Sequence, residues 1–550
     1  MTVADGVQQY DVVVIGGGPG GYAAALYGAS AGLSIALVER DKVGGTCLHR
    51  GCVPAKEFLE TAHVRRTLEH APAFGFTTKG LTVDFAVSQA RKNEVVDKLH
   101  KGLSGLLKGR SVTVLNGTAR LESDHRVVVV DGADAGAELV GASVIIAAGS
   151  VPRTLPGLEP DGKFVHTSDE FLDLTSLPAR AVVVGGGAIG CEFASMLADM
   201  GTAVTILEFL PSILAGCDGE VAGVVQRAFK KRGIDVRTGV SVTGHAPKKS
   251  STAVTLEGGE AVETDLIVVS VGRRPRTEDL LGEGTGVVID ERGFVVADGL
   301  QRTAAAGVYA VGDVVAGSPQ LAHVGFAEAI VAIKTILGEA TVPVDYDRVP
   351  WAIYSNPEVA FVGLTEAAAK ERGIEVVVKK DPFGGNSRAQ IIGETDGVVK
   401  VIAEKRPDGS AGQLLGVHMA GPWVTEQLGA GYYAVNWEAS AEEAAAKERG
   451  YDVVVKKDPF GGNSRAQIIG ETEGVVKIIA EKRADGTAGQ ILGVHMAGPW
   501  VTEQLGAGYY AVNWEATAEE AAALIQPHPS LSETFGETLL ALSGRGLHVG

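Results

Sequence analysis

The chain has 550 residues, 45% hydrophobic and 21% charged, a balance usual for globular proteins and a length beyond one hydrophobic core. Its net charge of −18 argues against nucleic acid or an anionic membrane as partner, and it has no apolar run of about 18 residues that could span a bilayer. Four cysteines do not make a disulfide scaffold in so long a chain, and a polar start without a signal-peptide pattern fits a cytoplasmic setting, where a disulfide is more often catalytic.

In chain order, the first pattern predicts a βαβ opening: strand over 11–15, helix over 20–31, strand over 34–39. Between the first strand and the helix, Gly16, Gly18 and Gly21 stand at GxGxxG spacing. The first makes a tight turn, the second lets the backbone approach a pyrophosphate, and the third lets helix and strand pack closely. The pyrophosphate would sit at the helix N-terminus. Glu39 ends the next strand, 23 residues after Gly16, where an acid can bind a ribose hydroxyl.

Cys47 and Cys52 follow, inside the run Gly44-Gly45-Thr46-Cys47-Leu48-His49-Arg50-Gly51-Cys52-Val53-Pro54-Ala55-Lys56. By spacing alone this pair could be a metal half-site, two unrelated thiols, or a disulfide. In a regular helix, residues five apart are separated by ~7.5 Å along the axis, too far to bridge. A disulfide therefore needs the backbone to bend, and Gly51 can supply that distortion.

A buried-type strand over 143–147 leads to Gly149. The βαβ order then recurs, with strand 181–184, helix 191–200 and strand 203–208. Its turn carries Gly185, Gly187 and Gly190, and Glu208 again lies 23 residues after the first glycine. An acid there repels a 2′-phosphate, which predicts NAD rather than NADP. Two such units imply two dinucleotides, and FAD with NAD is the natural pair for an oxidoreductase. Further strands over 267–271 and 308–311 run into Gly272 and Gly312-Asp313. From about 350 the pattern becomes α+β, and residues 366–442 reappear as 443–519, two copies of 77 residues that differ at eight positions. Two long, near-identical copies read as an in-frame tandem duplication or an error in assembling the sequence, not as a solenoid.

The 44–56 run resembles the active-site segment of the flavoprotein disulfide reductases, the class I pyridine nucleotide-disulfide oxidoreductase family. Asp313 with its preceding strand, Leu321-Ala322-His323, and His528-Pro529-Ser530-Leu531-Ser532-Glu533 resemble three further motifs of that family. The resemblance covers nearly the whole chain apart from one repeat copy, and it is strongest to the members that oxidise dihydrolipoyl groups. It implies an α/β fold with two Rossmann-like βαβ dinucleotide-binding domains and a C-terminal α+β interface domain. The expected boundaries are 1–152 for FAD, 153–277 for NAD, 278–347 completing the FAD domain, and 348–550 for the interface domain.

The resemblance also implies roles. Cys47 would exchange with the substrate dithiol, and Cys52 would be the thiolate facing the flavin. His528 would be the base, oriented by Glu533. Lys56 and Glu192 would pair near the flavin edge, with Glu192 reckoned to the NAD-domain set. Gly16, Gly18, Gly21, Glu39, Thr46, Gly117, Gly149, Asp313, Ala322 and His323 would contact FAD. Gly185, Gly187, Gly190, Glu208 and Gly272 would contact NAD, and no metal is expected. Implied partners are a second subunit, whose thiols His528 would serve, and the lipoyl domains of 2-oxo-acid dehydrogenase or glycine-cleavage complexes. The duplication keeps a second class open: a flavin-binding protein with diaphorase activity only, its surplus copy leaving apolar strands uncovered. A reductase of another small disulfide or of quinones is the alternative within the enzyme class.

Overall fold

The computed structural model describes residues 7–436, 453–543 and 545–547. Its first sheet runs in the order Thr113–Asn116, Ile35–Glu39, Gln8–Ile15, Glu138–Ile146, Arg126–Val129, Ala119–Leu121, with Val308–Ala310 also paired to Glu138–Ile146. Strands Gln8–Ile15, Ile35–Glu39, Glu138–Ile146 and Val308–Ala310 are parallel to their neighbours in this core. The sequence reads as an unbroken apolar run here because both faces are covered. Val12 and Val14 pack under the Pro19–Ser30 helix side, and Val13 and Ile15 pack on the other face.

A second sheet is parallel throughout, in the order Asp235–Thr238, Ala203–Glu208, Arg180–Val184, Leu266–Val269, Val165–Thr167. In both sheets the chain order reverses around the first strand of the βαβ unit. That places a crevice at the carboxyl ends of two adjacent strands, where nucleotides bind in such folds. The mixed α/β architecture is that expected from the sequence. Among the described residues, no helix is long and apolar enough to cross a membrane.

The C-terminal part holds two further sheets. The first repeat copy contributes Val376–Pro382, Val398–Lys405 and Ala411–Gly421 to a five-stranded antiparallel sheet completed by Trp351–Ile353 and Glu358–Gly363. The second copy builds only three strands, Val453–Pro459, Val475–Lys482 and Ala488–Ala497, because the two upstream strands are not duplicated. The expected uncovered sheet is mostly closed. Val476, Ile478 and Ile491 are buried with Phe535 and Leu539 of the Glu533–Leu542 helix.

One long helix, Cys52–His70, joins these parts. Ala55, Phe58, Leu59 and Ala62 fall at the spacing of one helical face. That face is buried among Phe193 and Leu197 of the second unit and Ile353 and Val359 of the C-terminal sheet. Phe58 is 1% exposed and stacks on Phe85 at 5.2 Å. Burying such a ring contributes ~2–3 kcal/mol relative to leaving it in water. The packing fixes the helix whose first residue is Cys52.

Candidate functional site

The two glycine turns are built alike. Gly16 and Gly185 have φ of +102° and +107°, a region open to glycine and costly for other residues. A Cβ on Gly21 would lie 1.8 Å from the Gly16 carbonyl oxygen, and one on Gly190 would lie 1.9 Å from that of Gly185. These glycines are therefore required by the close passage of helix over strand. The Gly17 N–H donates to Glu39 Oε2 at 2.7 Å, and the Gly186 N–H donates to Glu208 Oε2 at 2.6 Å. Glu39 and Glu208, expected to meet a ribose, each brace their own glycine turn through its backbone.

The surroundings of the remaining glycines test whether dinucleotides fit. Among the described residues, no atom lies within 4 Å of a Cβ built on Gly187, Gly149, Gly272 or Gly312, and the nearest to one on Gly18 is 3.9 Å away. Backbone thus borders open space at both crevices, which suits pyrophosphates approaching main-chain groups. Gly117 differs, because its Cβ would lie 2.1 Å from the Asp131 carbonyl oxygen, so this glycine is needed by the chain itself. Asp313 accepts a hydrogen bond from Ser150 Oγ at 2.5 Å, and Arg273 Nε donates to the same hydroxyl at 2.7 Å.

Cys47 and Thr46 lie in the short helix Gly45–Arg50, and Cys52 begins the next helix. Gly51 stands between them at φ −150° and ψ −110°, breaking the helix as the disulfide reading requires. Both cysteines are free thiols in this structure, and each is among the groups that shift the other's proton affinity. Burial, then Cys52, pushes the Cys47 thiol up. Cys47, helped against burial by the charges of His528 and Lys56, pulls Cys52 below an ordinary thiol. The direction of the two shifts favours a thiolate at Cys52 over one at Cys47. Cys191 and Cys217 are buried and pushed up, Cys217 to about 12, as inert core thiols.

Beside Cys52, Lys56 Nζ donates to both oxygens of Glu192 at 2.8 Å, and the Tyr354 N–H donates to Glu192 Oε1 at 2.9 Å. The pair is buried but fully partnered, which is what makes a buried ion pair tolerable.

His528 Nδ1 bonds Glu533 Oε1 at 2.7 Å. Burial works to lower the imidazole, and the Glu533 carboxylate outweighs it, so His528 holds its proton more tightly than a free histidine. The His528 N–H donates to His323 Nδ1 at 3.3 Å, while His323 Nε2 bonds the Pro350 carbonyl at 2.9 Å. A ring that accepts at Nδ1 and donates at Nε2 is neutral, and burial indeed lowers His323 to about 4. The structure thus brings Cys47, Cys52, Lys56, Glu192, His323, His528 and Glu533 together within one chain. The expectation that His528 would serve another subunit's thiols differs from this arrangement, in which His528 acts electrostatically on its own chain's Cys52.

Several supporting residues have no signal in the sequence. Tyr354 OH donates to the Pro529 carbonyl at 2.7 Å, and Glu426 accepts from the N–H groups of Leu531 and Ser532 at 3.1 and 3.3 Å. Buried Glu328 accepts the Gly312 N–H at 2.5 Å and the Tyr346 hydroxyl at 2.7 Å. Of the repeat-equivalent histidines, His418 is buried and bonds the Leu364 carbonyl at 2.9 Å, while His495 is exposed. Trp437 lies outside the described residues.

The family profile described as pyridine nucleotide-disulphide oxidoreductase matches residues 10–329, and the dimerisation-domain profile of the same family matches twice, at 349–445 and 441–539. The chain is 41% identical over 433 residues to a dihydrolipoyl dehydrogenase of Bacillus subtilis, across 76% of this chain and 90% of the relative. It is 38% identical over 450 residues to a leghemoglobin reductase of Vigna unguiculata, across 80% and 85%. Its fold is similar to that of LpdA from Mycobacterium tuberculosis, with a TM-score of 0.71 at 23% identity over 97% of this chain and 99% of that one. The HOCl-induced flavoprotein disulfide reductase RclA from Escherichia coli overlays at a TM-score of 0.71 and 27% identity, over 80% and 96%.

Proposed function

The chain belongs to the pyridine nucleotide-disulphide oxidoreductases, and from that premise we propose that it oxidises protein-bound dihydrolipoamide to lipoamide at Cys47 and Cys52, with FAD and NAD as cofactors. The observation that carries this reading is the pair of free thiols on either side of the helix break at Gly51, together with the His528–Glu533 pair bonded at 2.7 Å. In the reading, residues 1–152 with 278–347 serve FAD, 153–277 serve NAD, and 348–550 form the interface part. The finer partners proposed are a second copy of the chain and the lipoyl domains of 2-oxo-acid dehydrogenase or glycine-cleavage complexes, in the cytoplasm.

When bound, FAD supplies two-electron transfer between the thiols and NAD. The chain's own residues do the sulfur and proton chemistry. In the oxidised enzyme, one thiolate of the dihydrolipoyl group attacks Cys47 of the Cys47–Cys52 disulfide. The substrate–Cys47 bond forms, the Cys47–Cys52 bond breaks, and Cys52 leaves as a thiolate. Its lowered pKa suits it as the leaving group. The second substrate thiolate then attacks the first substrate sulfur and releases Cys47, giving lipoamide and the dithiol enzyme. His528 takes the proton from the substrate thiol, and Glu533 holds the imidazole at Nδ1 so that Nε2 is the working nitrogen. Lys56 and Glu192 would hold charge at the flavin edge. Gly16, Gly18, Gly21, Glu39, Thr46, Gly149, Asp313 and the Ala322–His323 backbone would hold FAD, and Gly185, Gly187, Gly190, Glu208 and Gly272 would hold NAD.

Glu208 leads to a cofactor prediction. A 2′-phosphate beside this carboxylate should lower kcat/KM for NADPH by about tenfold or more relative to NADH, the effect of ~1.4 kcal/mol. Steady-state assays with both nucleotides check it, and a preference for NADPH would contradict the reading.

A second reading, reduction of another acceptor, is favoured by the similarity to leghemoglobin reductases. Substrate profiling separates the two. Dihydrolipoamide should be oxidised with the highest kcat/KM among dithiols, with glutathione disulfide and quinones poor acceptors. Comparable or better rates with those acceptors would favour the second reading.

A further inference from the structure

We propose that the duplicated segment acts as a built-in partner, so that a single chain completes the redox site and delivers His528 and Glu533 to its own Cys47 and Cys52. The catalytic half of this inference rests on the function proposed above, and the architectural half stands without it.

The two copies meet across a local twofold axis. Helices Val424–Asn436 and Val501–Asn513 have the same sequence, VTEQLGAGYYAVN. A Cβ on Gly429 would lie 3.2 Å from the Ala507 Cβ, and a Cβ on Gly506 would lie 3.0 Å from the Ala430 Cβ. Gly429 and Gly506 are repeat equivalents, as are Ala430 and Ala507. Residue i of one helix therefore meets j of the other, and j meets i, which is the signature of a twofold interface between identical subunits. Here it is made inside one chain. The equivalent residues Trp423 and Trp500 also stack on each other, at 6.2 Å.

The near-identical segments nevertheless occupy different places. Arg388 and its equivalent Arg465 each lie over their own copy's tryptophan, Trp423 and Trp500, but Arg388 is exposed whereas Arg465 is buried, also lies over Tyr354, and pairs with Glu60 at 3.4 Å. Arg91 Nη2 and Lys98 Nζ donate to Ile468 O and Gln467 Oε1, each at 2.6 Å. The first copy is instead tied to the second nucleotide-binding unit, with buried Lys400 bonded to Asp218 at 3.0 Å. One copy thus completes its own sheet, while the other sits on the helices that carry and support Cys52, as a second subunit would.

Both copies also hold the turn that carries His528. Glu426 of the first copy accepts the Leu531 and Ser532 N–H groups, and Asn463 of the second donates from Nδ2 to the Ser530 carbonyl at 2.8 Å. Neither copy alone gives His528 its seat.

Two experiments test this. The full chain carrying Gly429→Cys with Ala507→Cys should close a disulfide on oxidation, because the Cβ positions, 3.2 Å apart, need only separate by a few tenths of an ångström to reach disulfide spacing. On a denaturing, non-reducing gel the cross-linked species should run as one chain. A band of two chains would show the copies pairing between molecules, and an uncross-linked product would show that the helices do not meet; either overturns the proposal, whether or not the enzyme uses dihydrolipoamide. For the catalytic half, Cys47→Ser and His528→Gln chains are produced together in one cell. Each keeps one half of the site intact, so a site shared between molecules would regain dihydrolipoamide activity in the mixture. We expect the mixture to stay as inactive as each variant alone, and recovered activity would overturn the proposal. An inactive wild type would instead count against the proposed function.

Discussion

His528→Gln should lower dihydrolipoamide-dependent NADH formation by roughly 10²–10⁴-fold, the range for losing a positioned general base. NADH oxidation by artificial acceptors should continue, because that path needs no proton from a dithiol. The expectation follows from geometry: the ring is largely buried, and Glu533 at 2.7 Å holds Nδ1. Glutamine keeps the size and removes the titration. The variant should also alter Cys52. The imidazole's charge is one of the causes that hold Cys52 below an ordinary thiol, so its loss should move the thiolate titration upward. Comparing both activities and the thiolate absorbance across pH checks the account; a parallel loss of both activities would point to structural damage instead.

Cys52→Ser and Cys47→Ser should each bring dihydrolipoamide oxidation to background, since the electron pair passes through a bond between these two sulfurs. They should differ in what remains. Cys47→Ser keeps the Cys52 thiol but alters the hydrogen bond that is the largest cause of its lowered pKa. Because that pKa is lowered, the wild-type thiolate is present above its folded pKa and is lost as pH falls through it. In Cys47→Ser the hydroxyl can still donate to Cys52 and the thiolate should persist, whereas in Cys47→Ala, which removes the donor, its loss should begin at higher pH. Cys52→Ser should show no such titration, as burial keeps Cys47 protonated well above the ordinary thiol range. A thiolate signal of unchanged pH dependence in Cys52→Ser would show that the assignment of the two thiols is reversed.

Much of this site is legible in sequence because the chemistry is local. Gly16 and Gly185 sit where only a left-handed turn connects strand to helix, and Glu39 and Glu208 follow at the distance one βαβ unit imposes. Cys47, Gly51 and Cys52 are adjacent enough for the break between the two helices to be anticipated. The supports are not legible in this way. Tyr354, Glu426 and Asn463 reach the His528 turn from three distant parts of the chain, and nothing in their own neighbourhoods marks them. The fate of the duplication is the extreme case. Two segments differing at eight positions carry almost the same local information. Only tertiary context, the strands Trp351–Ile353 and Glu358–Gly363 lying upstream of the first copy, decides which of them completes the five-stranded sheet. The uncovered sheet expected of the surplus copy is closed by Phe535 and Leu539, which follow the duplication and pack across it.

The most direct measurement of the central claim is NADH formation from dihydrolipoamide and NAD⁺ by the purified, flavin-loaded protein, with Cys47→Ser assayed beside it. The account predicts turnover by the wild type, none above background by Cys47→Ser, and NADH oxidation by an artificial acceptor in both. Dihydrolipoamide turnover that survives in Cys47→Ser, or its absence from a wild type that still oxidises NADH, would contradict it.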